Sequence, residues 1–237
     1  MYNSKKYDDN RPNVGVTIVP FIYEDNTIKT LLYKRAEDSE EFSGYWSLPN
    51  AFFDIKSFET LEDAAKYALA EKTSVSVKHI EQVHTFSGLY IDPNRINTVN
   101  VCYLSLCNNE SIKSLAINKF ETEWVSIEYA LKRKLAFNHH EVLKIAYERL
   151  KAKSEYTALT AHMLNNMFTI AEFKSLTELL INKNLDNSRF RDRIKKTDVL
   201  IPVPNEFKLG ANRPAQLYRL NNNYKDYFYP MSLTKPN

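Results

Sequence analysis

The sequence predicts an α+β protein with two domains, and three observations lead to this fold class. The chain has 237 residues, which exceeds the usual length of a single domain. Its first part places several strand patterns around one helix, whereas its second part begins with helical patterns and ends with two strands. The 43% of hydrophobic residues, including 15 Tyr and 13 Phe, can form cores without disulfides or a structural metal.

Strand patterns dominate the first part and occur at residues 14–22, 30–34, 80–86, 98–106 and 120–125. The first two are joined by a polar turn at residues 24–26 and form a predicted β-hairpin. Thr60 is predicted to begin a helix, with Asp63 placed for a capping box, and this helix is expected to end near Lys72. A short helix is predicted over residues 126–132.

The hydrophobic pattern becomes helical after residue 139. The spacing predicts a connecting helix over residues 140–151 whose inward positions are Val142, Ile145, Ala146 and Leu150. Residues 156–220 then follow the order helix, helix, helix, strand, strand, with strands at 199–203 and 216–220. This is the element order of a winged helix-turn-helix.

The second helix of this C-terminal part has a clear start signal. Thr169 is expected to cap it while Glu172 reaches back to the cap residue. Its predicted buried stripe consists of Phe173, Leu176, Leu179 and Leu180. The third helix is expected to begin after Asp186 or Asn187, with the side chains of Phe190 and Ile194 directed inward.

Charge is divided unevenly along the chain. Residues 1–150 carry 18 Lys and Arg against 21 Asp and Glu, whereas residues 151–220 carry 12 against 7. Any polyanionic partner is therefore expected on the C-terminal part, although chance alone also produces such differences. Cys102 and Cys107 lack the close Cys or His neighbours of a zinc site, so we expect buried free thiols. We find no signal peptide or spanning segment, and we expect a cytoplasmic protein without a membrane partner or a cofactor.

Residues 48–75 resemble the Nudix box, in which glutamates on one helix face hold Mg²⁺ against a diphosphate. The box reads Gly, five residues, Glu, seven residues, then Arg-Glu-hydrophobic-x-Glu-Glu-x-Gly-hydrophobic. In this chain Tyr67 occupies the Arg position of the box, and Ala68 occupies the position of the first Glu. The Glu pair is represented by Glu71, which is retained, and by Lys72, and Ser74 occupies the Gly position. Because the metal-binding glutamates are mostly lost, we expect no catalytic residues and no metal site. For the Lys72 side chain a solvated surface position is the favoured interpretation, and contact with a ligand phosphate is the alternative.

Three further motifs extend the resemblance along the chain. Residues 92–95 (Asp-Pro-Asn-Arg) follow Phe86 as in ADP-ribose-related Nudix domains. Residues 135–139 (Leu-Ala-Phe-Asn-His) and 213–218 (Arg-Pro-Ala-Gln-Leu-Tyr) are similar to segments of Nudix-related transcriptional regulators. The NrtR group of these regulators controls NAD metabolism, and a relative senses arabinose. The resemblance implies a Nudix α/β/α sandwich with a mixed sheet, followed by a winged helix-turn-helix, in a homodimer.

This resemblance divides the chain into four parts. They are a Nudix-like ligand-sensing domain (1–137), a connecting helix (138–153), a winged-helix DNA-binding domain (154–222) and a tail (223–237). The first domain needs side chains that stack on a base or bind a diphosphate. The candidate ligand-binding residues are Arg35, Trp46, Phe52, Glu59, Glu71, Arg95 and His139. Core positions for Trp46 and Phe52, and an ion pair for Arg35, are the alternatives.

Residues 187–196 contain five basic residues and one acid. With two apolar side chains directed inward, this helix presents a basic face that can enter the major groove, where Arg binds guanine and Lys or Ser binds phosphate. The candidate DNA-binding residues are Lys174, Asn187, Ser188, Arg189, Arg191, Lys195, Lys208 and Arg213. A solvated helix face without DNA contact is the alternative.

The sequence thus predicts a ligand-responsive repressor that binds operator DNA as a dimer and senses an ADP-ribose-like metabolite. Three alternatives remain open: a pentose or sugar phosphate as the effector, an active hydrolase of ADP-ribose-type diphosphates, and a nucleotide-binding scaffold without affinity for DNA. The effector's identity, the operator and the direction of the response do not follow from the sequence.

Overall fold

The computed structural model describes residues 12–87, 98–112, 119–209 and 213–223. Its larger sheet is mixed and contains β1 (Asn13–Glu24), β2 (Thr27–Lys34), β3 (Trp46–Ser47), β4 (Asn50–Phe52), β5 (His79–Ser87), β6 (Thr98–Leu106) and β7 (Thr122–Ser126). The main strand order is β3-β2-β1-β6-β5, with β4 paired to β1 and β7 paired to β2. Only β1 and β6 run parallel among the pairs formed by these described strands.

The predicted β-hairpin is formed by β1 and β2. Asp25 and Asn26 both have positive φ, 50° and 55°, and connect the antiparallel partners Glu24 and Thr27. Two central residues in the left-handed region define a type I′ turn, whose twist matches that of the flanking strands. Asp and Asn tolerate this conformation, which explains why the polar sequence at this position forms a tight turn.

Helices cover both faces of the larger sheet because apolar side chains alternate along its central strands. The residues Val16, Ile18, Val101 and Tyr103 belong to one core cluster with α1 (Leu61–Thr73). The residues Val19, Phe21, Cys102 and Leu104 belong to the other cluster, with α3 (His139–Ser154). A short helix, α2 (Ile127–Lys132), precedes α3. The predicted sandwich with a mixed sheet is therefore confirmed, and both cysteines are buried, as predicted.

The two predicted capping boxes differ in outcome. Thr60 caps α1 and accepts a hydrogen bond from the Asp63 N–H, but the Asp63 carboxylate accepts from the Thr60 hydroxyl instead of the Thr60 N–H. Glu172 reaches the backbone N–H of Thr169 at 2.8 Å and completes the full box. A glutamate is one methylene longer than an aspartate, which accounts for the difference.

The C-terminal elements form a winged helix. They are a 3₁₀ helix (Leu159–Met163), β8 (Phe168–Thr169), α4 (Ile170–Ile181), α5 (Asn187–Lys195), β9 (Leu200–Lys208) and β10 (Ala215–Leu220). The strands form a second sheet in the order β8-β10-β9. The strand β8 was not predicted, and the first predicted helix of this part is the short 3₁₀ helix. Asp186 is the residue that caps α5.

One inward position was predicted wrongly. Leu179 is 37% exposed, because it lies six residues after the buried Phe173 and falls outside the stripe that Leu176 and Leu180 continue. On α3, Ile145 is partly buried and packs against the core, as predicted, and Leu143, which was not among the predicted inward positions, is fully buried.

The helix α3 joins the two sheets through one continuous core. Its residues Val142, Ala146 and Leu150 share a cluster of buried side chains with Phe21 of β1 and with Phe190 of α5. The helix begins beside the larger sheet and ends near α4. The exact division of the chain at residues 137, 153 and 222 stays a prediction. Among the described helices, none combines the length and apolar character needed to cross a membrane.

Candidate ligand cavity and nucleic-acid interface

A cavity of about 250 Å³ opens where β1, β2, β4 and β6 approach the C-terminal end of α1 and the start of α3. Its described lining residues are Gly15, Val16, Thr17, Tyr33, Arg35, Asn50, Ala51, Phe52, Lys72, Thr98, Asn100, Phe137 and His139. Two of them carry positive charge, and none of these described lining residues is acidic. Such a lining favours an anionic ligand with an aromatic or sugar part.

His139 is a buried hydrogen-bonding group in this cavity, with 2% of its surface exposed. Its Nδ1 lies 3.1 Å from the backbone N of Leu48 and 3.0 Å from the hydroxyl of Ser47. Because a backbone N–H can only donate, Nδ1 is the acceptor and the proton of the neutral ring is on Nε2. Burial, together with the positive charge of Arg35, lowers the pKa of His139 to about 3. The neutral ring can therefore offer Nε2–H to a ligand.

Arg35 and Phe137 form a second group of cavity residues. The Arg35 guanidinium carbon lies 4.9 Å from the centre of the Phe137 ring, and Nε donates to the carbonyl of Glu41. Phe137 has a φ of 53°, a conformation that costs a non-glycine residue roughly 1–3 kcal/mol. The surrounding contacts hold the aromatic ring and the cation in this arrangement, which is typical of a functional site.

Neutral polar side chains line the remaining wall. Asn100 donates to Thr17 at 2.9 Å, and the Tyr33 hydroxyl donates to Asn50 at 3.0 Å. The Thr98 hydroxyl is buried and has no hydrogen-bond partner among the described residues. A buried hydroxyl without a partner is costly, so Thr98 is a candidate contact for a polar ligand atom.

The helix α1 and its C-cap carry the residues that align with the metal-binding part of the Nudix box. Ser74 adopts a left-handed φ of 57° at the C-cap, where the box has a glycine. The left-handed conformation of Ser74 therefore supports the alignment with the box. In this alignment Ala68, which is fully buried, and Lys72 occupy two glutamate positions. The third carboxylate, Glu71, lies 2.9 Å from the Lys72 ammonium. Mg²⁺ requires oxygen ligands, so this donor set does not fit the ion.

Lys72 also differs from expectation in its exposure. Only 18% of its side chain is exposed, and its ammonium lies 4.5 Å from the centre of the Phe120 ring. The interpretation of Lys72 as a solvated surface residue is therefore wrong. Its alignment with a glutamate position of the Nudix box, which faces the ligand, is the sequence signal that could have placed Lys72 in the cavity wall.

The structure brings together three of the seven predicted ligand-binding residues, Arg35, Phe52 and His139. Three others lie elsewhere: Trp46 stacks against the Arg133 guanidinium at 4.1 Å, Glu59 is exposed before α1, and Glu71 pairs with Lys72. Arg95, the seventh, lies outside the described residues. Several lining residues were not among the sequence-predicted candidates, namely Tyr33, Thr98, Asn100 and Phe137. Of these, Phe137 lies in the Leu-Ala-Phe-Asn-His motif, which could have identified it.

The helix α5 presents a basic face above an apolar one. Phe190 and Ile194 are 2% exposed, and the Phe190 ring lies 5.5 Å from that of Phe173 in α4. The exposed residues of α5 include the predicted Asn187, Ser188, Arg189, Arg191 and Lys195. The apolar contacts thus fix the helix while its polar side chains remain accessible.

A groove of about 440 Å³ separates α5 from the wing. Arg191 and Lys195 line it on the helix side, and Arg213 lines it on the wing side. Three predicted DNA-binding cations therefore face one groove. Two others are engaged within the domain: Lys174 pairs with Glu178 at 2.7 Å, and Lys208 pairs with Glu172 at 2.6 Å.

Comparison with known proteins identifies both parts of the molecule. Residues 160–220 match the model of the NrtR DNA-binding winged helix domain. Over 232 residues the chain is 32% identical to the ADPR responsive transcriptional repressor NtrR of Acinetobacter baylyi, covering 98% of this chain and 91% of the relative. The chain belongs to the NrtR family of Nudix-related transcriptional regulators. The predicted family and the predicted combination of a Nudix domain with a winged helix are thereby confirmed.

Solved structures of NrtR proteins agree with this assignment. The chain is similar to Shewanella oneidensis NrtR complexed with a 27mer DNA, with a TM-score of 0.83, 32% identity and coverage of 93% and 99% of the two chains. It is also similar to the Nudix domain of that protein complexed with ADP ribose, with a TM-score of 0.52 and 31% identity. This second match covers 63% of the present chain and 99% of the Nudix domain.

Proposed function

We propose that this NrtR-family protein is an ADP-ribose-responsive transcriptional repressor that binds operator DNA through its winged helix. The observation that carries the proposal is the 32% identity to an ADPR responsive repressor over 98% of the chain. This alignment includes the cavity, the connecting helix α3 and the helix α5, which we call the recognition helix. From the family resemblance we also propose genes of NAD metabolism as its targets.

The chemistry of the cavity supports a phosphorylated effector. Arg35 and Lys72 supply positive charge, Phe52 and Phe137 supply aromatic surfaces, and the described lining contains no acid. A neutral pentose gains little from two cations, whereas a diphosphate forms charge-assisted hydrogen bonds with them. An ADP-ribose-like nucleotide therefore fits this lining better than a sugar without phosphate.

We further propose that the Nudix domain binds its effector without cleaving it. Hydrolysis in Nudix enzymes relies on Mg²⁺ held by glutamates of the box. In this chain fully buried Ala68 offers no oxygen ligand, and the ammonium of Lys72 repels a divalent cation. The effector can then report its own concentration without being consumed.

A symmetric dimer is part of the proposal because specific DNA binding by a winged helix usually requires two half-sites. The helix α3 begins at cavity residue His139 and shares a core with α5. A ligand that shifts the start of α3 can thus alter the spacing of two recognition helices.

The test begins with the full-length protein and sheared genomic DNA. Bound fragments are sequenced, and fluorescence anisotropy then measures affinity for the selected duplex with added ADP-ribose, NAD, phosphoribosyl diphosphate or arabinose. We expect inverted-repeat sites, and a change in DNA affinity of roughly 5- to 150-fold with ADP-ribose. A double variant, Arg191→Ala with Lys195→Ala, should lose DNA binding and keep ADP-ribose binding.

Three results would contradict the proposal. Failure to select any fragment would favour a nucleotide-binding scaffold. A response to arabinose without a response to ADP-ribose would identify a pentose regulator. Release of AMP from ADP-ribose in the presence of Mg²⁺ would show that the Nudix domain is an enzyme.

A further inference from the structure

The side chain of Lys72 occupies a position that the Nudix box assigns to a metal-binding glutamate. It lies in the last turn of α1, two residues before Ser74, whose left-handed φ supports the alignment. The side chain is 18% exposed and forms part of the cavity wall. A positive charge therefore lies at the site where related enzymes place a ligand of a cation.

Three neighbouring groups hold the ammonium of Lys72 in place. Glu71 lies 2.9 Å from it, and the centres of the Phe120 and Tyr33 rings lie 4.5 and 5.9 Å from it. The two rings contact each other edge to face, at a distance of 5.5 Å between centres. An ammonium group has three N–H donors, so the Glu71 carboxylate does not exhaust its hydrogen-bonding capacity.

We propose that Lys72 replaces the divalent ion of the Nudix site and binds a phosphate group of the effector directly. The inference rests on the proposed function for the identity of the effector, but its anionic chemistry follows from the cavity. Lys72 and Arg35 are cations held by aromatic rings in the same lining, which lacks an acid among its described residues. The effector is therefore recognised as the metal-free anion.

This replacement has a consequence for regulation. In a metal-dependent site, effector affinity varies with the concentration of free Mg²⁺, because the ion forms part of the binding surface. A lysine is always present in the folded protein. Binding of the effector by this regulator accordingly does not require Mg²⁺.

Isothermal titration calorimetry of the full-length protein tests the inference with two probes, ADP-ribose and inorganic pyrophosphate. Both probes are titrated in excess EDTA. ADP-ribose is titrated again at a MgCl₂ concentration too low to complex it appreciably, and the wild type should bind it with the same dissociation constant in both buffers. Lys72→Met should weaken binding of both probes by roughly 10- to 100-fold, the range for loss of a hydrogen bond to a charged group. Lys72→Arg should restore most of the affinity.

A matched control is available on the same helix. Lys66 pairs with Glu62 on the exposed side of α1 and does not line the cavity. Lys66→Met should leave both dissociation constants unchanged. Circular dichroism melting verifies that each variant is folded, and Lys72→Gln serves as a second neutral substitution if Lys72→Met is not.

The titrations distinguish the role of Lys72 from the identity of the effector. Wild-type affinity in Lys72→Met, or binding by the wild type that disappears in EDTA, overturns the role of Lys72 and leaves the proposed function intact. Lys72-dependent binding of pyrophosphate without binding of ADP-ribose supports the role of Lys72 and removes ADP-ribose as the effector. Failure to bind either probe overturns both proposals.

Discussion

The ligand cavity and the recognition helix both use cations, but they hold them differently. In the cavity, Arg35 lies against the Phe137 ring and Lys72 is held by Glu71 and the Phe120 ring. On α5, Arg191 and Lys195 are exposed and face a groove open to solvent. The side chains of the cavity are organised by contacts within the protein, whereas Arg191 and Lys195 are open to solvent.

This difference predicts which solution condition, pH or salt concentration, affects each region. The cavity contains the buried His139, whose protonation opposes folding, so the free energy of unfolding depends on pH. The face of α5 carries Arg and Lys, and binding of such cations to DNA phosphates releases counterions, which makes affinity depend on salt. We therefore expect the cavity to be sensitive to pH and the DNA interface to salt.

The largest expected effect is acid destabilisation through His139. The imidazole takes up a proton near pH 6.5 in the unfolded chain but only near pH 3 in the folded protein. Between these values the unfolded state binds more protons, so stability is complete above pH 6.5 and falls as the pH is lowered. The loss is about 1.4 kcal/mol per pH unit, or up to roughly 5 kcal/mol over the window.

Urea unfolding across this pH range, compared with His139→Asn, measures the contribution. The amide oxygen of Asn can accept from the Leu48 N–H as Nδ1 does, but it does not titrate. We expect a shallower pH dependence in the variant. Other groups, including His162 with a pKa of about 4, are common to both proteins and cancel in the comparison. Equal slopes would show that the His139 pKa is not lowered on folding.

The second prediction concerns the support beneath the DNA-binding face. Phe190→Ala removes a ring that is 2% exposed and packs against Phe173, so unfolding should become easier by roughly 3–5 kcal/mol. Arg189→Ala, at the neighbouring exposed position, should change stability by no more than about 0.5 kcal/mol. Urea denaturation compares the two variants. Similar values for both would mean that α5 is not fixed by its apolar side.

The third prediction separates the interface from the cavity by its salt dependence. Arg191→Ala should weaken binding to the selected duplex by about 1–3 kcal/mol if the side chain reads a base. If it binds a phosphate instead, the slope of log affinity against log salt should fall by about 1. ADP-ribose affinity should not change in either case. A variant with unaltered DNA affinity and slope would place the interface elsewhere, and Lys66→Ala on α1 is the matched control.

Most of the fold could be predicted from local signals in the sequence. The hairpin turn, the helix caps at Thr60 and Thr169 and the inward pair Phe190 and Ile194 all depend on residues within a few positions of one another. The short strand β8 could not be predicted in this way, because two residues form a strand only by pairing with β10, about 50 positions later along the chain.

The candidate site was predictable only in part, for a related reason. Side-chain chemistry suggested Arg35, Phe52 and His139, but Thr98 and Asn100 enter the cavity because β6 lies parallel to β1. That pairing brings together positions more than 80 residues apart, which local patterns do not encode. Trp46 was chosen for its chemistry and instead stacks on Arg133, because α2 brings this arginine to it.

The smallest predicted effect tests the alignment of the Nudix box on which the role of Lys72 depends. Ser74 has a φ of 57°, which glycine adopts without the strain that a side chain introduces. Ser74→Gly should therefore stabilise the protein by about 1 kcal/mol, whereas Ser74→Ala, which keeps the strain, should not. Thermal unfolding of both variants measures the difference. A destabilised Ser74→Gly would show that this C-cap has no preference for glycine, and the assignment of Lys72 to a glutamate position would lose its structural support. A gain in stability without a change in ADP-ribose affinity would show that the backbone conformation of Ser74 affects folding alone, whereas ligand binding depends on the Lys72 side chain.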